Sequence, residues 1–355
     1  MVGAYDVVDT DAHYLEDLET VAGYMDEPWR RRLQEGGEIA RSKFFGSSTG
    51  DRFVWGRIER EHSSYPDAPM QVDEIDEGME FLGLDATIQL SHQLLAMPRI
   101  QADDDRVKSF ATAYTRYMLD QAVDPGDGIY TVLPIPYTDV EASVELIDEY
   151  ADDPAIVAGC MITAGAEPPL GNEQYNPIYQ AAEDAGLPLI FHTGGSGLDS
   201  LKNKGYSKFI ETHTLGFLEG NMSQLVSLVC QGIPEKFPDL DVTFQESGIF
   251  WVPMIMHRLD EEYLKRPSEA PVLTRRPSEY IKEMYFGTQP FEASGDPKHL
   301  EYTIEMLGGA DRLMYASDWP HWDFDRPTTI TDVEFLSQEE KQKILADNAR
   351  EVFGL

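Results

Sequence analysis

Short apolar runs recur along this chain, each followed by a stretch of helical periodicity, and no other feature constrains the fold as much. The runs at 7–13, 84–90, 128–134, 156–162, 187–195, 240–248, 284–288 and 313–323 are strand-like, the one at 284–288 being the weakest. Between them, a helical stretch covers 111–122, and Val140, Val144 and Ile147 recur at helical spacing within 139–150. Ile178, Ala181 and Ala185 mark a helix stopped by Gly186, and another helix runs from Trp251 to Asp260. The last helix opens on a capping box, Ser337 with Glu340, and carries Ile344, Leu345, Ala349 and Val352 on one face. Eight strand–helix pairs in 355 residues predict an α/β fold, a single (β/α)8 TIM barrel domain over 1–355, rather than a doubly wound sheet. No glycine-rich fingerprint follows any strand, which disfavours nucleotide binding.

The pattern lapses once. Residues 16–83 are polar and aromatic-bearing, with Pro28-Trp29-Arg30-Arg31-Arg32 and Gly46-Ser47-Ser48-Thr49-Gly50, and show no core periodicity. A loop that long inside a compact domain is usually functional or an inserted unit, so the insertion after strand 1 is expected to be a lid over the site.

Strand 1 reads Val7-Val8-Asp9-Thr10-Asp11-Ala12-His13, placing acids and an imidazole where a buried strand should be apolar. Alternation puts Asp9, Asp11 and His13 on one face. Burying them unpaired costs several kcal/mol, which a divalent cation would offset. His192 closes the apolar run of strand 5, Glu246 ends strand 6, and strand 8 carries Asp318 at its end. A single such histidine is commonly a core residue bonded to backbone, but barrels collect their chemistry at the C-terminal ends of strands, where all these residues fall. Asp11, His13, His192 and Asp318 therefore form the candidate metal set. Two imidazoles and two carboxylates suit one zinc ion and tolerate manganese, iron or cobalt.

Charge narrows the partners. With 64 acidic against 28 basic residues and a net charge of −36, spread along the whole chain, nucleic-acid and anionic-membrane partners are excluded on electrostatic grounds. The excess resembles proteins of salt-saturated cytoplasm, where a Debye length of roughly 3 Å screens self-repulsion. Loss of structure in low salt follows. No basic-then-apolar leader opens the sequence and no apolar run reaches membrane-spanning length, so a cytoplasmic chain is expected. Cys160 and Cys230 lie in apolar runs and suggest neither a disulfide nor a thiolate metal site.

The motifs Asp9-Thr10-Asp11-Ala12-His13, Pro188-Leu189-Ile190-Phe191-His192-Thr193-Gly194, Ala316-Ser317-Asp318-Trp319-Pro320-His321 and the closing Asp347-Asn348-Ala349-Arg350 together resemble the amidohydrolase-related family typified by aminocarboxymuconate-semialdehyde decarboxylase, within the metal-dependent amidohydrolase superfamily. The resemblance spans the chain. It implies a mononuclear metal on Asp11, His13, His192 and Asp318, a small organic acid as substrate, non-oxidative decarboxylation as the reaction, and a homodimer. Two departures stand out. Asp11 replaces the first imidazole of a His-x-His pair, and strand 6 reads Gln245-Glu246-Ser247-Gly248 where the family's decarboxylases carry a histidine. Met161-Ile162-Thr163 on strand 4 offers no lysine to bridge two metals.

Two reactions follow from this set. As a lyase, a protonated Asp318 or Glu246 delivers a proton to carbon as CO2 leaves. As a hydrolase of an amide, lactone or ester, either acid takes a proton from water. Glu246 could instead be a structural acid bonded to loop amides. His321 is expected to orient Asp318 or touch substrate, and His92 to contact substrate. His62, His213, His257 and His299 have only loop or helix positions, and Arg258 reads as a helix salt-bridge partner. A barrel that binds metal without turnover is the third reading.

Overall fold

The computed structural model describes residues 5–14, 16, 18–35, 72–99, 105–194, 208–292, 295–321 and 323–355. Eight strands form one sheet in sequence order: β1 Val8–Tyr14, β2 Ala86–Ser91, β3 Ile129–Pro134, β4 Ile156–Ile162, β5 Leu189–His192, β6 Val242–Gln245, β7 Tyr285–Gly287 and β8 Leu313–Met314. Every neighbouring pair is parallel. The cylinder closes where the last strand meets the first. Thr10 N donates to Tyr315 O at 3.0 Å, Asp318 N to Asp11 O at 2.7 Å and His13 N to Trp319 O at 2.6 Å, with Ala12 bridged to Trp319. This is the expected (β/α)8 barrel.

Helices separate the strands: α1 Val72–Leu82, α2 Arg106–Gln121, α3 Val140–Tyr150, α4 Asn176–Ala185, α5 Phe209–Cys230, α6 Trp251–Lys265 and α7 Pro297–Leu307. Local chemistry sets their ends. Asp139 caps α3 by accepting from Ala142 N at 3.0 Å, and Asp296 caps α7 by accepting from Lys298 N. Gly186 ends α4 at φ 62°, a left-handed position that a side chain would strain. The last helix begins at Ser337 with both bonds of the capping box, then runs through a π-helical turn, Lys343–Asp347, into Asn348–Phe353. Arg258 pairs with Glu262 at 3.1 Å along α6.

The structure corrects three expectations. The segment after β1 is not without core elements: Leu18–Gly23, Trp29–Glu35 and α1 are helices, and Val21, Ala22, Met25, Leu33 and Leu82 are buried. Its middle, 36–71, lies outside the described residues, as do 15 and 17, and as does His62. Strand 8 is regular only over Leu313–Met314, shorter than β7, and beyond it Tyr315, Asp318 and Trp319 bond irregularly to β1. Asp9 does not join Asp11 and His13 at a common site. The β1–β2 register shifts between Asp9 and Ala12, and Asp9 instead binds Ser317.

The barrel interior beneath the mouth is polar for a hydrophobic cylinder. Gln245 Nε2 donates to Thr10 Oγ1 at 3.0 Å, and Thr10 Oγ1 to Tyr315 O at 2.9 Å, bridging β6, β1 and the chain after β8. Gly287 makes room, since a Cβ there would meet Gln245 Oε1 at 1.6 Å. That layer fixes how the strand ends stand against one another.

Candidate metal centre

The C-terminal ends of β1, β5, β6 and β8 bring Asp11, His13, His192, Glu246, Asp318 and His321 together, none more than 9 % exposed. Donor atoms of Asp11, His13 and His192 lie within 4.8 Å of one another, as do those of His13, Glu246, Asp318 and His321. His13 belongs to both groups. Its Nε2 is 3.5 Å from Asp11 Oδ1 and 3.1 Å from Asp318 Oδ1, while His192 Nε2 is 3.1 Å from Asp11 Oδ1.

Neighbours orient these side chains. His321 Nδ1 is 2.6 Å from Asp318 Oδ1, and its Nε2 is 3.4 Å from Nδ1 of half-buried His92. Gln289 Nε2 donates to Asp318 Oδ2 at 3.3 Å. His192 Nδ1 contacts Thr193 O and lies 3.6 Å from Glu246 Oε2. Glu246 and Asp318 are the two non-glycine residues with positive φ, 57° and 60° among the described residues. Both acids sit in a conformation that L residues avoid, the kind of local strain that concentrates at functional sites.

The electrostatics favour a cation. Burial, then the charges of Asp323, Asp11, Asp325 and Asp9, push the Asp318 carboxyl well above its ordinary range. Burial and the charge of Asp318 do the same to Glu246, against the pull of His192. Burial lowers the His192 imidazole, but Asp11 and Glu246 outweigh it and raise the group to about 9. Burial, reinforced by His321 and His192, pulls His13 well below its usual value, and burial takes His92 down to about 3. Without a cation, then, burial penalises the charged forms of Asp318, Glu246 and His13. Asp11 Oδ2, both ring nitrogens of His13 and Glu246 Oε2 are buried with no hydrogen-bond partner. Buried lone pairs of this kind, on imidazole and carboxylate, fit a divalent ion.

Asp9 teaches by contrast. Its Oδ1 accepts from Ser317 N at 2.8 Å and Asp11 N at 3.2 Å, and its Oδ2 from Ser317 Oγ at 2.5 Å, so it ties β1 to the segment carrying Asp318. Burial pushes its carboxyl up to about 7.

Some residues near the site were not singled out by the sequence. Gln289 follows a strand end, which is a usable signal. His213, set aside for its helical position, has Nε2 at 3.4 Å from Asp323 Oδ2, a contact that only the fold reveals. Asn221 of α5 reaches the ends of β4 and β6, and one trace of it was present: Asn221 and Gln224, uncharged amides at helical spacing inside a long apolar helix.

Comparison with known proteins agrees with this architecture. Residues 8–355 match the protein family described as Amidohydrolase. The gamma-resorcylate decarboxylase of Rhizobium sp. (strain MTP-10005) is 23 % identical over 272 residues, 74 % of this chain and 81 % of that one. Among solved structures, an amidohydrolase from Mycobacterium avium subsp. paratuberculosis K-10 aligns over 99 % of both chains with a TM-score of 0.77 at 19 % identity. The 5-carboxyvanillate decarboxylase of Novosphingobium aromaticivorans DSM 12444, complexed with manganese and 4-hydroxy-3-methoxy-5-nitrobenzoic acid, aligns over 100 % of this chain and 97 % of that one with a TM-score of 0.71 at 19 % identity.

Proposed function

The chain belongs to the amidohydrolase family, and from that premise we propose that it is a metal-dependent, non-oxidative carboxy-lyase acting on a small aromatic or enolic hydroxy acid. One observation carries the reading: a buried set of imidazoles and carboxylates at the barrel mouth adjoins a further buried acid, Glu246, whose Oε2 has no hydrogen-bond partner and whose carboxyl is pushed well above its ordinary range by burial and the charge of Asp318. The decarboxylase relatives support the substrate class.

Asp11, His13, His192 and Asp318 would hold one divalent cation, which when bound supplies Lewis acidity toward the substrate's carboxylate and neighbouring hydroxyl. The two-imidazole, two-carboxylate set favours zinc. Manganese, bound in the relative from Novosphingobium aromaticivorans, is the rival that metal analysis separates. His321 holds Asp318 Oδ1, the oxygen that also faces His13. Glu246, whose Oε2 has no hydrogen-bond partner, is thereby left to hold a proton for the substrate. Its hydroxyl delivers that proton to the ring carbon bearing the carboxylate; the bond to the carboxylate carbon breaks, its electron pair returns to the ring, and CO2 leaves. The resulting Glu246 carboxylate recovers a proton from water. His92, kept neutral by burial, contacts the substrate at the mouth. The 16–83 insertion serves as a lid, a reading supported by Phe81 of α1, whose ring packs 5.2 Å from Trp319 beside Asp318. A net charge of −36 supports work in a cytoplasm of molar salt.

The test is incubation of purified protein in molar KCl, loaded with zinc or manganese, with hydroxybenzoates, following CO2. Esters, lactones and amides are offered in parallel, following titratable acid. CO2 release that requires metal is the expected result; acid release without CO2 would replace the lyase with a hydrolase.

A further inference from the structure

A side chain from α5 bonds the residues on both sides of Glu246. Glu246 stands between Gln245 and Ser247 with its backbone at φ 57°, a conformation that a non-glycine residue keeps only where its surroundings hold it. The amide of Asn221, fully buried on α5, contacts both flanking residues. Its Nδ2 donates to Gln245 O at 2.7 Å and to Ser247 Oγ at 2.8 Å. Its Oδ1 accepts from Thr163 Oγ1 at 2.8 Å, and the backbone N of Thr163 donates to His192 O at 2.9 Å. One amide thus spans the ends of β4 and β6 on either side of the strand that carries His192.

The helix is shaped for this reach. Gly220 precedes Asn221, and a Cβ there would stand 3.1 Å from both Thr163 Oγ1 and Thr193 Oγ1, closer than such contacts ordinarily run. Gln224, one turn on, donates to Thr163 O at 3.2 Å and accepts from Leu170 N at 2.7 Å, locking the same helix face to the segment after β4. Every polar atom of the Asn221 amide is engaged, and two of its three bonds go to the neighbours of a single acid.

We infer that Asn221 is a positioning residue for Glu246: by holding Gln245 and Ser247 it fixes the left-handed turn that aims the Glu246 carboxyl at the reacting carbon. This rests on the reading of Glu246 as the proton donor. A structural side chain would change stability and leave the chemistry additive; a positioning side chain acts only through the acid it aims.

A double-mutant cycle separates the two. Asn221→Ala lowers kcat by about a hundredfold, the scale of a small misplacement of a reacting group, while KM and metal stoichiometry stay within a factor of two or three. In a Glu246→Gln background the same substitution changes kcat by less than about threefold, though it lowers the melting temperature as much as before. Equal kcat losses in both backgrounds overturn the inference and leave Asn221 structural. A Glu246→Gln enzyme with undiminished kcat overturns the proton-donor reading itself, and the inference with it. If Asn221→Ala does not fold, Ser247→Ala removes one of the two flanking contacts alone. A smaller loss, about tenfold, that again vanishes beside Glu246→Gln supports the inference, and an additive one overturns it.

Discussion

The two ends of the barrel treat charge in opposite ways. At the strand-starting end, ions are paired and partly wet: Arg275 Nη2 meets Glu283 Oε2 at 2.8 Å, Lys343 meets Asp311 at 2.8 Å, and Arg350 meets Asp6 at 2.7 Å. At the mouth, Asp11, Glu246 and Asp318 are buried, crowd one another, face imidazoles and amides, and leave lone pairs unused. The first arrangement is what folding alone selects, with exposed pairs worth little each. The second costs stability, so the mouth is where selection has favoured chemistry over folding.

Experiments can break that contrast, beginning with the largest effect. His192→Ala should reduce bound metal to background and abolish turnover; retained turnover, measured beside elemental analysis, would remove His192 from the site. Glu246→Gln should lower kcat by about 10²- to 10⁴-fold with metal content unchanged, the range for loss of a general acid. Loss of metal instead would make Glu246 a ligand.

Next comes pH. Burial raises Asp9 to about 7 and Asp325 to about 6 in the folded chain. Between the ordinary carboxylate range and those values the folded state binds protons that the unfolded state has released, so stability falls as pH rises through them. His192, Glu246 and Asp318, also raised, act in the same direction and outweigh the lowered His13 and His92, so chelator-treated protein in molar KCl should melt higher at pH 5 than at pH 8; a flat profile by calorimetry would count against buried acids at the mouth.

Asp9→Ala should cost about 1–3 kcal/mol by leaving the N–H and O–H donors of Ser317 without their acceptor, read as a drop in denaturation midpoint. Arg275→Ala, at the opposite end, should cost under about 1 kcal/mol and leave turnover untouched. Similar costs for these last two would erase the distinction between the ends.

Much of this was legible in the sequence because it is local. Apolar runs ending in Asp11, His192 or Asp318 announce strand tips, and Gly186 and Ser337 announce helix ends by their own chemistry. What escaped was set by closure. Asp9 could not be separated from Asp11 without knowing that Ser317, 308 residues on, arrives beside it. His213 gains meaning only from Asp323, and Asn221 only from β4 and β6 flanking β5. The helices Leu18–Gly23 and Trp29–Glu35 escaped for another reason: at six and seven residues they are too short to show a period.

The seam between β1 and β8 has a consequence for biosynthesis. Because Asp11 and His13 are locked through backbone bonds to Asp318 and Trp319, a nascent chain on the ribosome carries three of the four proposed ligands long before it owns a pocket to put them in. Ion capture at the proposed site would thereby be deferred until the eighth strand has emerged and docked, and metal loading would become a readout of finished translation.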